Sequence, residues 1–331
     1  MDLILHIAMF LVASVVVIVS ALGLVKTADV IATQTGWGRI WVGSLLLGGA
    51  TSLPELVTVS SAAHFLQPLE GANLALGTVF GANMMNVSKL TLIIALLGGR
   101  DFFQLLSNDQ RILAGIALAL TIATFFLSII GMDFRWLFLS PATLIVLSLY
   151  FICQRCLMKW GSNINSPPDT KSDRSLRWVW SVFLLSAIAV FVAAPFLAIS
   201  ASNIADYTGF GESFIGVLGV AFVTSLPELA SVIAAIKIKS PDLAVATIYG
   251  TNAFNIAILG VADMFYSSGS IFAHIDTGSL LACIFAIILG TLGTIQIILK
   301  RPLKHFALFE PSTFTICSIW VIGILLIFNT R

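Results

Sequence analysis

Apolar runs long enough to cross a lipid bilayer recur along this chain from end to end. A helix needs about 20 consecutive apolar residues to span the hydrocarbon core. Charged residues make up only 10% of the 331 residues, whereas a soluble domain of this length would carry about 25%. The mean hydropathy of +1.03 agrees. The sequence therefore predicts an all-α polytopic membrane protein rather than a soluble domain with an anchor.

Hydropathy predicts ten transmembrane helices. They cover residues 3–25, 40–66, 72–98, 112–131, 136–157, 178–202, 213–236, 242–266, 277–299 and 306–328. The longest polar connection, 159–177, contains SNINSPPDTKSDRS, and such a composition is typical of a flexible linker. We therefore expect a first five-helix half at 1–158, a cytoplasmic linker at 159–177 and a second half at 178–331.

Basic residues are concentrated on one side of the predicted membrane. The loops after spans 1, 3, 5, 7 and 9 hold Lys26, Arg39, Arg100, Arg111, Arg155, Lys159, Lys171, Arg174, Arg177, Lys237, Lys239, Lys300, Arg301 and Lys304. The other side has only Arg135 and Arg331, while Lys89 lies within a span. Basic loops stay in the cytoplasm. We therefore predict a multi-pass protein of the inner (plasma) membrane with both termini on the non-cytoplasmic side.

The two halves contain related sequences. TQTGWGRIWVGSLLLGGATSLPEL (33–56) aligns with DYTGFGESFIGVLGVAFVTSLPEL (206–229), and LALGTVFGANMMN (74–86) aligns with LAVATIYGTNAFN (243–255). Because each half has an odd number of spans, the two copies must cross the membrane in opposite directions. Inverted repeats of this kind place a substrate site near the midplane, where broken helices from the two halves meet.

The hexapeptide TSLPEL occurs inside apolar runs at Thr51–Leu56 and again at Thr224–Leu229. Proline has no N–H and its ring crowds the carbonyl one turn earlier, so Pro54 and Pro227 should each interrupt a helix. A free carbonyl at membrane depth is tolerated only where protein buries it or a wet cavity solvates it. The motifs therefore predict two broken helices that line a polar interior.

Each motif also supplies oxygen atoms. Glu55 and Glu228 are acidic side chains within spans, and each costs about 2.5–3.5 kcal/mol at the bilayer centre on insertion scales. Two of them facing one another need a counter-charge. The adjacent hydroxyl groups belong to Thr51, Ser52, Thr224 and Ser225, with no His or Cys nearby. Such a donor set suits calcium or sodium and disfavours zinc or copper.

Several polar residues allow alternative interpretations. A single kinked helix with a buried glutamate also serves as a structural hydrogen-bonding device, but two inverted copies favour a substrate site. We expect Asn83 and Asn252 to hydrogen bond between helices rather than to bind an ion. Lys89 should snorkel toward the cytoplasm or hydrogen bond between helices, the alternative being a built-in cation at the ion site. Asp263 is expected to be a solvated loop charge on the outer side.

The paired TSLPE segments, followed by GANMMN and GTNAFN, resemble the two α-repeats of the cation/calcium exchanger superfamily. The resemblance is greatest to its prokaryotic sodium/calcium antiporter branch. It implies ten helices in two inverted five-helix halves. Spans 2, 3, 7 and 8 would form a core that holds the ions, and the long spans 1 and 6 would slide across this core to alternate access.

The same resemblance implies roles for individual residues. Calcium would lie between Glu55 and Glu228, with oxygen atoms from Thr51 and Thr224. An outer sodium site would use Glu228, Ser225, the Ala221 carbonyl and Thr251, and an inner one Glu55, Ser52 and the Gly48 carbonyl. Asn86 and Asn255 would border the central position.

The sequence thus predicts a secondary active antiporter that exchanges calcium for sodium by alternating access. It departs from the family pattern at Ala82, where serine is usual, and at Asn255, where aspartate is common, so proton coupling stays open. A passive channel is disfavoured because a tight carboxylate site would slow permeation. No nucleotide-binding loop or enzyme motif is present, so we expect no cofactor. The expected partners are calcium, sodium and the lipid bilayer, without nucleic acid or an obligatory protein partner.

Overall fold

The computed structural model describes residues 2–136, 139–161, 175–207, 225–303 and 310–330. Every regular element in these ranges is a helix, and the only β pairing there is an isolated bridge between Trp136 and Leu139. Eight helices in the described ranges are long and apolar enough to cross a membrane, and a bent pair makes a ninth candidate. The prediction of an all-helical membrane protein is confirmed at this level.

The helices are numbered here in chain order. They are α1 (Asp2–Thr35), α2 (Arg39–Thr51), α3 (Leu53–Phe65), α4 (Pro68–Gly98), α5 (Gln110–Ile130), α6 (Pro141–Gly161), α7 (Leu176–Tyr207), α8 (Leu226–Lys237), α9 (Pro241–Phe265), α10 (Thr277–Leu299) and α11 (Pro311–Phe328). Residues 208–224, which include most of the predicted first part of span 213–236, and most of the 159–177 linker lie outside the described residues. Ten helices in two inverted halves, at 1–158 and 178–331, therefore remain a prediction.

Several predicted helix ends are wrong, two of them for a physical reason that the structure shows. Helix α1 does not end at residue 25 but continues to Thr35, because Ala28 and Ile31 are buried in the core and Asp29 pairs with Arg39 at 2.7 Å. Tertiary packing thus extends the helix past the apolar run.

The start of α6 is the second difference. The predicted span begins at residue 136, but the helix begins at Pro141. The residues before it form the Trp136–Leu139 bridge, and the Ser140 hydroxyl then accepts the Thr143 N–H at 3.1 Å. A proline at the first position and a serine side chain before it are ordinary ways to begin a helix.

Helix α9 is the central element of the molecule. It contacts α2, α3, α4, α5, α6 and α8, and 89% of its most apolar window is buried, against 28% for α1 and 17% for α11. Helices α1 and α7 pack side by side at the periphery, where large apolar side chains such as Leu11 and Leu185 are exposed. The peripheral faces therefore suit contact with lipid, and the polar residues of the repeats lie inside.

Close approach of α2 to α9 depends on glycine. A Cβ atom at Gly250 would overlap the backbone of Ser44, and one at Gly48 would lie 2.8 Å from the Thr251 nitrogen. The two helices are thus in backbone contact just before the break in the first repeat.

Asp263, at the end of α9, is fully buried rather than a solvated loop charge. One carboxylate oxygen accepts hydrogen bonds from the hydroxyl groups of Ser140, at 2.7 Å, and Thr143. The other accepts from the Ile271 N–H at 2.6 Å and the Ser270 hydroxyl at 3.1 Å. The expectation was wrong because these donors come from segments far apart in the chain. Asp263 ties the α5–α6 and α9–α10 connections together.

Candidate cation site

Ser52 and Ser225, the equivalent residues of the two TSLPEL motifs, have the same backbone conformation. Helices α2 and α3 are bent by 54° around Ser52, whose φ and ψ are −92° and 7°. Ser225 precedes α8 with φ −95° and ψ 13°. Pro54 and Pro227 lie in the first turns of the helices that follow, where the missing N–H needs no partner. The predicted interruption is confirmed in the first copy, and the described part of the second copy repeats it.

The two acidic side chains come together inside the protein. Glu55 lies in the first turn of α3 and Glu228 in the first turn of α8. Their charges interact with each other and with that of Lys89 on α4. Glu228 is 2% exposed and Glu55 is partly buried. Each carboxylate sits at a helix N-terminus, where the helix dipole favours negative charge.

Several buried oxygen atoms of the two carboxylates and of the repeat sequences have no hydrogen-bond partner among the described residues. They are Glu55 Oε2, both carboxylate oxygens of Glu228, Ser52 Oγ and Asn255 Oδ1. Buried polar atoms are normally paired, because an unpaired one costs about 1–3 kcal/mol. Unpaired carboxylate, hydroxyl and amide oxygen atoms are the ligands that a hard cation prefers, and calcium binds 6–8 of them.

Four asparagines join α4 and α9. Asn83 and Asn252 each donate to the other's backbone carbonyl, at 3.1 and 3.3 Å. Asn86 donates to Asn252 Oδ1 and Asn255 donates to Asn83 Oδ1, both at 2.9 Å. The predicted interhelical role of Asn83 and Asn252 is confirmed. The amide nitrogen of Asn255 is used in this network, whereas its oxygen has no hydrogen-bond partner among the described residues.

Three hydroxyl groups surround the break. The Gly48 carbonyl accepts from the hydroxyl groups of Thr51 and Thr251, at 3.1 and 3.5 Å. The Thr51 hydroxyl also lies near the Glu228 carboxylate. The Ser225 hydroxyl lies 3.6 Å from the sulfur of Met85 on α4. The family resemblance put Gly48 and Thr251 at different sodium sites, whereas here they are neighbours across the α2–α9 contact.

Residues 5–156 and 178–330 match the protein family described as sodium/calcium exchanger protein. The chain belongs to this family. The match takes in both TSLPEL motifs and the asparagines that follow them. Members of the family are polytopic transporters, and the helical architecture of the described residues agrees.

Relatives and solved structures of this exchanger family support the assignment. The inner membrane protein YrbG of Escherichia coli K12 is 27% identical over 76% of this chain and 77% of its own length. The putative antiporter CaxA of Alkalimonas amylolytica is 29% identical over 77% of this chain and 79% of its own. The solved structure of the sodium-calcium exchanger NCX_Mj has a TM-score of 0.73 at 21% identity, covering 98% of this chain and 99% of that one. The last comparison shows a shared fold.

Lys89 has neither of the two roles that its sequence position favoured, which were snorkelling toward the cytoplasm and hydrogen bonding between helices. It is 7% exposed, so it does not snorkel to water, and its Nζ has no hydrogen-bond partner among the described residues. Sequence reasoning assumed that the long side chain would reach the membrane surface, as lysines near helix ends usually do. The side chain instead lies in the electrostatic field of Glu55 and Glu228.

Some expected positions are not part of this geometry. Thr224 and Ala221 lie outside the described residues. Ala82 is partly exposed and offers no side-chain oxygen. Within the described ranges no group of three or more His, Cys, Asp or Glu side chains is positioned to hold a metal. A cation bound here would therefore depend on two carboxylates together with hydroxyl, amide and carbonyl oxygen atoms.

Proposed function

We propose that this exchanger-family protein is a secondary active antiporter that moves calcium and sodium in opposite directions through one shared site. The observation that carries the proposal is a pair of carboxylates inside the protein, buried Glu228 and partly buried Glu55, three of whose oxygen atoms lack a hydrogen-bond partner among the described residues. A passing ion must lose its water shell, and these oxygen atoms would replace it. Mutually exclusive occupancy by two ions is the condition for exchange.

The ligand set of this site follows from the two repeats. Glu55 and Glu228 would bind calcium directly, with the other oxygen atoms placed around them. These come from Thr51, Thr224, Ser52, Ser225, Thr251, Asn86, Asn255 and the carbonyls of Gly48 and Ala221. Two ionised glutamates carry a charge that one calcium ion, or two monovalent cations, would offset. An uncompensated charge at this depth is expensive, which favours exchange over simultaneous release of both ions.

Alternating access would involve the peripheral pair α1 and α7. These helices pack along one another, with exposed apolar side chains on their outer faces, and α1 also contacts α2 and α8. A pair that faces lipid on one side and the broken helices on the other is suited to move as a unit. Its displacement would open the site to one side of the membrane at a time.

Proton coupling is the second candidate, because Ala82 removes one hydroxyl ligand from a sodium site. Radioactive calcium uptake into proteoliposomes separates the two. Uptake driven by an outward sodium gradient supports sodium exchange, and uptake that needs only a pH gradient supports the proton alternative. Calcium flux that requires neither gradient would contradict an antiporter and indicate a channel. Liposomes without protein give the background.

We further propose two five-helix halves, 1–158 and 178–331, joined by a cytoplasmic linker at 159–177. Both termini would then lie on the non-cytoplasmic side of the plasma membrane. The distribution of Lys and Arg supports this orientation. A cysteine introduced at exposed Thr330 should react with a membrane-impermeant thiol reagent added to intact cells. Labelling of this cysteine only after the cells are opened would contradict the orientation.

A further inference from the structure

Lys89 introduces a charge that only one of the two repeats carries. It lies on α4, one helical turn after Asn86. The corresponding position of the second repeat is Ile258 on α9, an apolar residue that is 1% exposed. The inverted repeats therefore supply matching carboxylates but only one ammonium group. A purely structural device of the fold would be expected in both copies.

The charged groups that face Lys89 are the two glutamates of the candidate cation site. Its charge interacts with Glu228 on α8 and Glu55 on α3. Helices α10 and α11, which pack against α4, contain no Asp, Glu, Lys or Arg. On α9, Asp242 caps the Ser107 N–H at 2.8 Å and Asp263 is held by hydroxyl groups at the other end.

Lys89 does not form a direct ion pair with either glutamate. Among the described residues the ion pairs are Arg39 with Asp29 and His274 with Asp133. The ammonium has no hydrogen-bond partner there, and three of the four glutamate oxygens lack one as well. A buried lysine that is both unpaired and close to unpaired carboxylates is incomplete as a structural ion pair.

We propose that Lys89 is a built-in cation of the ion site, which takes the place of one transported monovalent cation and so sets how many sodium ions bind. This inference rests on the proposed antiport function. Two ionised glutamates and one lysine leave a single negative charge. One sodium ion then makes the site neutral, whereas two would be needed without the lysine.

The lysine should also weaken calcium binding. A divalent ion between Glu55 and Glu228 would be repelled by the ammonium in an environment where charges are poorly screened. The four-carbon side chain keeps the ammonium attached to α4, so it cannot leave with the transported ions. Lys89 would thus act on specificity and stoichiometry rather than on the folding of the site.

The test compares wild type with Lys89→Met and Lys89→Arg in proteoliposomes. Calcium uptake is measured at increasing internal sodium, and calcium binding to the purified protein is measured by competition with sodium. We expect a sodium Hill coefficient near one for wild type and near two for Lys89→Met. The apparent calcium affinity of Lys89→Met should rise on the order of tenfold. Lys89→Arg, which keeps the charge, should retain the wild-type coefficient.

The outcomes separate this inference from the proposed function. Sodium-driven calcium exchange with identical coefficients and affinities in wild type and Lys89→Met would overturn the role of Lys89 alone. Absence of any calcium exchange by folded wild type would overturn the antiport function itself. If Lys89→Met does not fold, the sodium Hill coefficient of the wild-type protein still tests the inference. A value of two or more would contradict a built-in cation.

Discussion

Asn83 and Asn252, equivalent residues of the two repeats, donate their side-chain amides to each other's backbone carbonyls over 3.1 and 3.3 Å. This exchange holds α4 against α9 at their crossing. The neighbouring asparagines Asn86 and Asn255 extend it through the side chains. Since α8 packs on both α4 and α9, and α3 does as well, the asparagine contact fixes the scaffold from which Glu55 and Glu228 approach one another.

Replacing Asn83 by alanine should destabilise the protein by about 1–3 kcal/mol, because it leaves buried amide and carbonyl groups of α9 without partners. A lower thermal unfolding midpoint of the detergent-solubilised protein would show this. Asn329→Ala is the matched control, since Asn329 is exposed beyond the end of α11. Equal midpoints for the two variants would contradict an interhelical role.

Neutralising either glutamate should abolish calcium exchange. Glu55→Gln and Glu228→Gln keep the size of the side chain but remove the charge that would offset the ion, and each should lower transport to the level of empty liposomes. Glu70→Gln, at an exposed position in the first turn of α4, should transport like wild type. Robust activity in either site variant would remove that glutamate from the site.

Asp263→Asn should destabilise the protein by about 2–3 kcal/mol, because hydrogen bonds to a buried charged group are among the stronger ones and an amide nitrogen would face hydroxyl donors. Asp276→Asn provides the control. Asp276 caps Ser279 N–H at 2.9 Å, and asparagine caps helices about as well as aspartate. A midpoint for Asp263→Asn no lower than that of the control would show that the Asp263 contacts contribute little.

Gly250→Ala should reduce the yield of folded protein, since the added Cβ overlaps the Ser44 backbone and overpacking typically costs about 1–3 kcal/mol. The same substitution at Gly115 on α5 meets open space and should be neutral or stabilising, because alanine favours helices over glycine. Size-exclusion profiles and unfolding midpoints compare the two. Tolerance of Gly250→Ala would mean that α2 and α9 are further apart than described.

Much of the local structure could be predicted from the residues themselves. Proline inside a helical run has no N–H and its ring crowds the carbonyl one turn earlier, so the bend at Ser52 could be predicted from Pro54. An interhelical hydrogen-bonding role was expected for Asn83 and Asn252, because polar side chains inside a membrane bundle pair across helices. The apolar runs located the helices but not all of their ends, as at the end of α1 and the start of α6, where packing and a bridge decided the boundary.

Contacts between distant segments could not be predicted in this way. The burial of Asp263 depends on hydroxyl groups at Ser140 and Ser270 that no local pattern relates to it. Lys89 was misjudged because snorkelling depends on the depth of the residue and on its neighbours, not on its own helix. Charge balance would have predicted the position of Lys89, because two glutamates inside the protein require a positive charge nearby.

Equilibrium calcium binding to the purified protein tests the shared site between Glu55 and Glu228 most directly. We predict one calcium ion bound per chain, displaced competitively by sodium, with binding lost in Glu55→Gln and in Glu228→Gln while both variants remain folded. Calcium binding that persists in the double variant, or that sodium does not displace, would contradict the account.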